Sequence, residues 1–232
     1  MQFAQSSLLT AGPNSAESAT APTPLTHYKG RRIATTMHYR GAPWLLRDDR
    51  ERQERCSLML ANLGVKPGMT VCDMGCGNGF YALQLAKMVG PTGRVLAVDI
   101  QPEMLELLKD RAAEKQVTNI EPILSGVHDP KLPKGEIDLI LLVDVYHEFS
   151  HPEQMLAAMR RSLSPKGLIA LLEYRAEDPE VPIKPLHKMT RKQIMKEFPP
   201  NGFKLVKEFD RLPWQHMMFF GRDSRSRLPD GT

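Results

Sequence analysis

Val71-Cys72-Asp73-Met74-Gly75-Cys76-Gly77-Asn78-Gly79-Phe80 reads as a short apolar strand carrying an acidic residue near its end, then three glycines at every second position, then the start of a helix. Glycine has no Cβ and tolerates positive φ, so this turn lets a backbone pass very close to a bound ligand. The helix that follows aims unpaired N–H groups at the same place. The next apolar run, Val95-Leu96-Ala97-Val98, closes on Asp99. An acid about 20 residues past the glycines stands where a nucleotide-binding βαβ unit holds a ribose.

The glycine spacing discriminates between nucleotides. A dinucleotide fingerprint, G-x-G-x-x-G/A, needs a small third residue for close helix–strand packing. Here that position is Phe80, and the third glycine comes one residue early. Asp73-Met74-Gly75-Cys76-Gly77-Asn78-Gly79 instead resembles the D/E-x-G-x-G-x-G element of class I S-adenosylmethionine-dependent methyltransferases. The resemblance extends from about Leu60 to Arg222 and leaves residues 1–47 outside it. Ser164-Pro165-Lys166-Gly167-Leu168 resembles the family's L-x-P-G-G turn, with Lys166 in place of one glycine.

Length and charge bound the remaining possibilities. The 232 residues suit one α/β domain with appendages. No apolar run approaches the roughly 20 residues of a membrane span, and Met1–Ser7 lacks the basic and apolar regions of a signal peptide. Cys56, Cys72 and Cys76 form an odd, sparse set, which fits free thiols in a reducing compartment, so the cytoplasm is expected. The net charge of +4 is uneven: residues 1–56 carry eight Lys and Arg against five Asp and Glu, and residues 184–232 eleven against five. No basic stripe interleaved with aromatics appears, so nucleic acid is an unexpected partner and solvated surface charge the better reading.

Four regions are expected: a disordered tail over 1–27, an arm or lid with a helix over 28–63, the methyltransferase domain over 64–222, and a flexible tail over 223–232. Arg31–Leu45, with its aromatic, Met, His and Arg residues, reads as a cover over the site or as an arm packed on the domain. Asp48–Leu63 reads as one helix whose alternating charges, Asp49 to Arg55, form a solvated face. Strands are predicted over Thr70–Met74, Arg94–Asp99, Ile120–Leu124, Ile137–Val143, Leu168–Tyr174, Phe203–Phe209 and Gln215–Phe220. Helices are predicted over Phe80–Val89, Pro102–Gln116, Pro152–Leu163 and Thr190–Phe198. This alternation gives an α/β, doubly wound, mostly parallel Rossmann-like sheet with helices on both faces. The resemblance adds seven strands with the last antiparallel.

The resemblance also implies S-adenosyl-L-methionine as cofactor and assigns its contacts. Asp73, Gly75, Cys76, Gly77, Asn78 and Gly79 would face its amino-acid part, Asp99 its ribose, Ile100 its adenine, and Asp144 its methionine end. Family members often carry G-D-A followed by L-P at the third strand end; the acid is displaced here, and Val127, His128 or Asp129 is the candidate for the adenine edge. Asp144-Val145-Tyr146-His147-Glu148-Phe149 places Tyr146, His147 and Glu148 where a substrate can meet them. His147 has the ordinary pKa of a general base, Glu148 can orient or replace it, and a positioning role serves the same residues. His147-Glu148-Phe149-Ser150-His151 departs from the zincin H-E-x-x-H spacing by one residue, so no metal is expected. The leading reading is methyl transfer to a small-molecule acceptor. RNA or protein methylation, non-catalytic binding of S-adenosylmethionine, and a nicotinamide-dependent oxidoreductase are the alternatives.

Overall fold

A computed structural model describes residues 22–224. Two short strands come first, β1 (His27–Tyr28) and β2 (Arg31–Arg32), paired antiparallel. A 3₁₀ helix over Tyr39–Leu46, α1 (Arg50–Glu54) and α2 (Cys56–Asn62) follow. The alternation then runs β3 (Thr70–Met74), α3 (Ala82–Val89), β4 (Arg94–Asp99), α4 (Pro102–Glu114), β5 (Ile120–Leu124) and β6 (Ile137–Val143). It continues through α5 (Pro152–Ser162), β7 (Leu163–Arg175), β8 (Lys188–Met189), α6 (Arg191–Glu197), β9 (Phe203–Glu208) and β10 (Gln215–Arg222).

The main sheet has the order β5-β4-β3-β6-β7-β10-β9, with β8 added alongside β7. Strands β3 to β8 run parallel; β10 is antiparallel to both β7 and β9. Alternation along the strands divides the core between two faces. Val71, Ala97 and Leu139 point to the face covered by α2, α3 and α4, while Cys72, Leu96 and Ile140 point to the face covered by α5 and α6. Each fully buried Leu or Ile there contributes about 1.5–3 kcal/mol.

The sheet thus has eight strands rather than seven. The addition, β8, lies on the stretch after β7 that the sequence pattern leaves irregular. Tyr174 pairs with Gln215 on one side and Lys188 on the other, so β8 takes up the lane where β6 has ended. The Ser164–Gly167 turn is a bulge inside β7: Leu163 sits opposite Ile137, and Leu168 already opposite Leu139. A Cβ on Gly167 would lie 2.4 Å from the Ile137 carbonyl oxygen, so the second glycine of the motif is the one required. Lys166 is not among the residues with positive φ.

The single helix expected over Asp48–Leu63 is two helices, broken at Arg55, whose φ is 53°. The charged face is also not solvated throughout, because Arg50 and Glu54 are buried. Glu54 accepts from Arg50 Nε at 2.8 Å, from the Tyr174 hydroxyl at 2.7 Å and from Arg47. Arg50 also donates to the Leu45 carbonyl at 2.8 Å and lies over the Phe80 ring at 4.2 Å. Burial alone would raise the Glu54 carboxyl, but these donors hold it below its usual range. The residues before β3 are therefore fastened to the domain by a desolvated charge cluster. Before β1, Leu25 N donates to the Ser150 carbonyl at 2.9 Å. Residues 1–21 and 225–232 of the two expected tails lie outside the described residues.

Removing one partner of a buried charge pair costs about 3–5 kcal/mol. Glu54→Ala is expected to lower the unfolding free energy by that amount in urea denaturation. A loss under about 1 kcal/mol, the scale of an exposed pair, contradicts the buried cluster.

Candidate active site

From β3 the chain moves outward to β4 and β5, then crosses to β6 on the other side. The crevice at such a reversal, beyond the carboxyl ends of the strands, is where open α/β sheets bind ligands. A cavity of about 780 Å³ lies here, inside the roughly 300–1,000 Å³ range of small-molecule sites. Met74, Asp99 and Val143 line its floor at the strand ends. Thr35, Thr36, Met37, Trp44 and Leu45 form a roof, and Ile183, Lys184 and His187 form one wall.

The glycine loop is stitched to β4. Gly75 N and Cys76 N both donate to the Val98 carbonyl, at 2.8 and 2.9 Å. Gly77 N donates to Asp99 Oδ2 at 2.9 Å, and Asp99 Oδ1 accepts from Gln101 N at 2.9 Å. Gly77 has a φ of +53°, and a Cβ on it would lie 2.7 Å from Leu45 Cδ1, so the roof closes directly onto bare backbone. Burial raises the Asp99 carboxyl despite those backbone donors.

Of the residues singled out in the sequence, Gly75, Gly77, Asp99, Ile100, Asp144, His147 and Glu148 line the cavity. Asp73, Cys76, Asn78, Gly79, Asp129 and Tyr146 do not. Asp73 sits beneath the loop and accepts from Ala82 N at the start of α3. Asn78 ties the roof to α4: its Nδ2 donates to the Ala42 carbonyl at 3.1 Å, and its own carbonyl accepts from Arg111 at 2.7 Å. Cys76 is buried under Gly77, and Gly79 faces Leu108, 2.1 Å from where its Cβ would be. Asp129 is exposed and caps its own turn, accepting from Lys131 N at 2.9 Å; Ser125, Gly126 and Val127 line the cavity in its stead. Tyr146 is fully buried, and its hydroxyl donates to Glu197 at 2.7 Å.

The far end of the cavity is polar. Asp144 takes the left-handed conformation, φ 51°, as β6 ends. Its Oδ2 accepts from Gln215 at 2.7 Å, while its buried Oδ1 has no partner among the described residues. His147 Nδ1 bonds Glu173 Oε2 at 2.6 Å, and its Nε2 meets His187 Nδ1 at 3.0 Å. Glu148 Oε1 accepts from Met37 N of the roof at 3.2 Å. Burial disfavours a charged His147, but the Glu173 carboxylate outweighs it, and the ring's pKa is raised. Burial also pushes Glu148 from 4.5 up to about 7.

Residues 65–216 match the protein family described as "Methyltransferase domain". The chain belongs to this family. Among curated relatives, the ubiquinone/menaquinone biosynthesis C-methyltransferase UbiE of Cupriavidus pinatubonensis is 34% identical over 115 residues, 50% of this chain and 47% of that protein. UbiE of Pseudomonas putida is 28% identical over 153 residues, 63% of this chain and 59% of that protein. This chain thus spans about half the length of these relatives. Among solved structures, a SAM dependent methyltransferase from Aquifex aeolicus has the same fold, with a TM-score of 0.75 at 24% identity over 80% of this chain and 98% of that one. The family is that of the class I S-adenosylmethionine-dependent methyltransferases, and S-adenosylmethionine is its cofactor.

The cavity of this methyltransferase domain suits that cofactor. Asp99 retains acceptor positions after its two backbone bonds, since a carboxylate offers about four. The unpartnered Asp144 Oδ1 offers a buried acceptor for a cationic group, and Arg50 lines the same end as a partner for a carboxylate.

The raised carboxyls make a pH prediction. Asp73 and Glu148 both sit at about 7, so between their unfolded values and 7 the folded state holds more protons than the unfolded chain. Their contribution to stability is present below about pH 4 and fades as pH rises through 7. The melting temperature of the unliganded protein is expected to fall between pH 5 and 8, and Glu148→Gln to flatten part of that fall. An identical slope in the variant contradicts the Glu148 assignment.

Proposed function

We propose that this protein methylates a small molecule held in the same cavity as S-adenosylmethionine, against His147, Glu148 and His187. The observation that carries the reading is the continuity of one cavity from Asp99 and Gly77 to this polar end. A roof from residues 35–45 leaves a pocket for a compact acceptor rather than a groove for a polymer. The name of the UbiE relatives, ubiquinone/menaquinone biosynthesis C-methyltransferase, favours a small-molecule acceptor as well.

When bound, the sulfonium cofactor supplies a methyl group with a thioether as its own leaving group. The protein's part is alignment and exclusion of water. In this reading Asp99 grips the ribose hydroxyls, the Gly75 and Gly77 backbone lies against the ligand, and Ile100 and Val127 border the adenine. Asp144 and Arg50 face the charged groups of the methionine end. Asp73, Cys76, Asn78 and Gly79 act from beneath, by fixing the loop. At the other end Glu173 holds the His147 ring in one orientation through Nδ1, with Nε2 turned to His187 Nδ1. Glu148, with a pKa near neutrality, is suited to take up a proton from an acceptor that arrives protonated. Tyr146 is a core residue whose bond to Glu197 fixes the turn that carries His147.

No helix among the described residues is long and apolar enough to cross a membrane. The three buried free cysteines suit a reducing compartment, and we place the protein in the cytoplasm on that basis.

Calorimetry with S-adenosylmethionine, its demethylated product and NAD tests the cofactor reading; heat is expected from the first two and none from NAD. Asp99→Asn, which keeps the shape of the side chain, is expected to weaken binding by about 1.5–3 kcal/mol through loss of charge-assisted hydrogen bonds. Unchanged affinity would remove Asp99 from the ribose site.

A further inference from the structure

We propose that His147, Glu148 and His187 form a binding site for one divalent transition-metal ion, of which Zn²⁺ is the simplest probe, at the acceptor end of the cavity. The three side chains come from two separate segments. His147 and Glu148 lie on the 3₁₀ turn after β6, and His187 immediately precedes β8. The parallel pairing of Lys188 with Tyr174 brings His187 up beside the turn.

The distances carry the argument. His147 Nε2 and His187 Nδ1 are 3.0 Å apart, and Glu148 Oε1 lies 4.0 Å from the first and 3.9 Å from the second. A triangle with sides of 3.0, 3.9 and 4.0 Å has a circumradius of about 2.1 Å, so a single point lies about 2.1 Å from all three atoms. Zn–N distances are about 2.0–2.1 Å and Zn–O distances about 2.0–2.2 Å. The three atoms are therefore spaced so that one ion could reach all of them.

The surroundings match what a metal-bound imidazole needs. A ligating histidine usually donates its other N–H to a carboxylate, which fixes the tautomer and makes the ring more basic. Glu173, fully buried, holds His147 Nδ1 at 2.6 Å and the His147 backbone N–H at 3.1 Å. His147 Nε2 is the ring nitrogen left to a metal, and binding one would release the proton it shares with His187 Nδ1. Two imidazoles with one carboxylate suit Zn²⁺ and its neighbours in the transition series rather than Mg²⁺ or Ca²⁺. His151, the second histidine of the H-E-F-S-H stretch, is not part of the site. It sits between the Ser150 hydroxyl at 2.9 Å and the Pro22 carbonyl at 2.7 Å. The sequence expectation of no metal rested on that histidine, whereas His187 completes the set from 40 residues away.

Three protein ligands leave coordination positions open toward the cavity. If the methyltransferase reading holds, which the metal site does not require, these positions would take an acceptor thiol or hydroxyl as its anion; with the ion bound, Glu148 is a ligand rather than a base, and the acceptor's proton passes to solvent.

The test is a Zn²⁺ titration of the chelator-stripped full chain by calorimetry, followed by Co²⁺ substitution read by visible absorption. One ion per chain is expected, with an intense Co²⁺ band of a low-coordinate nitrogen–oxygen site. His187→Ala, at a part-exposed position, is expected to weaken Zn²⁺ at least tenfold and remove the band. Glu173→Gln, which keeps all three ligands, is expected to weaken it about 10–100-fold. Absence of a Co²⁺ band in the unaltered protein at tenfold excess overturns the site, whatever the variants do. So does Zn²⁺ binding that His187→Ala leaves unchanged. S-adenosylmethionine titrated into the same stripped protein separates the two proposals: donor binding together with no Zn²⁺ binding sinks this inference alone, and Zn²⁺ binding together with no donor binding sinks the cofactor reading alone.

Discussion

One carboxylate holds the site together. Asp99, at the end of β4, accepts from Gly77 N on one side and from Gln101 N on the other, both at 2.9 Å. The first bond fixes the glycine loop over the strand ends. The second fixes the entry to α4 and places the Gln101 side chain, whose Nε2 donates to the Met37 carbonyl at 2.9 Å and whose Oε1 accepts from Tyr39 N at 2.8 Å. Loop, helix and roof therefore converge on a single buried anion. Its oxygens keep enough acceptor capacity to bind a ligand as well as the backbone.

The roof has two further anchors. At the acceptor end, the His147 carbonyl accepts from Ala34 N at 3.1 Å and from Arg31 at 2.9 Å, while Arg31 also pairs with the buried Glu197 at 2.7 Å. Near α1, Arg47 and Arg50 meet Glu54 and Tyr174. Residues outside the alternating β–α pattern thus contribute much of the cavity wall. The methyltransferase sheet supplies the floor and the chemistry-bearing strand ends. The preceding segment, held by ion pairs whose charges are desolvated, lies above them.

How much of this the sequence discloses depends on the range of the interactions. The parallel strands were legible because both of their faces are buried, which leaves continuous apolar runs such as Ile137–Val143. Gly77 and Asp99 were legible because one short βα unit brings them together. Glu54 was not: alternating charges look like a solvated helix face, and the Tyr174 hydroxyl that completes the cluster lies 120 residues away. Tyr146 looked like a site residue until its partner Glu197, 51 residues on, turned it inward. The pairing of His187 with His147 was not legible either, because a two-residue strand with no periodicity to read brings it about. Asp129 was misplaced for a local reason, since an Asp two residues before a backbone N–H readily caps its own turn.

The position of the cofactor's sugar decides the site most directly. A crystal structure with S-adenosylhomocysteine is expected to place both ribose hydroxyls within hydrogen-bonding distance of Asp99, with the ligand's thioether directed toward Asp144 and the His147 turn. A sugar bound away from Asp99, or a cavity that stays empty at saturating ligand, would contradict it.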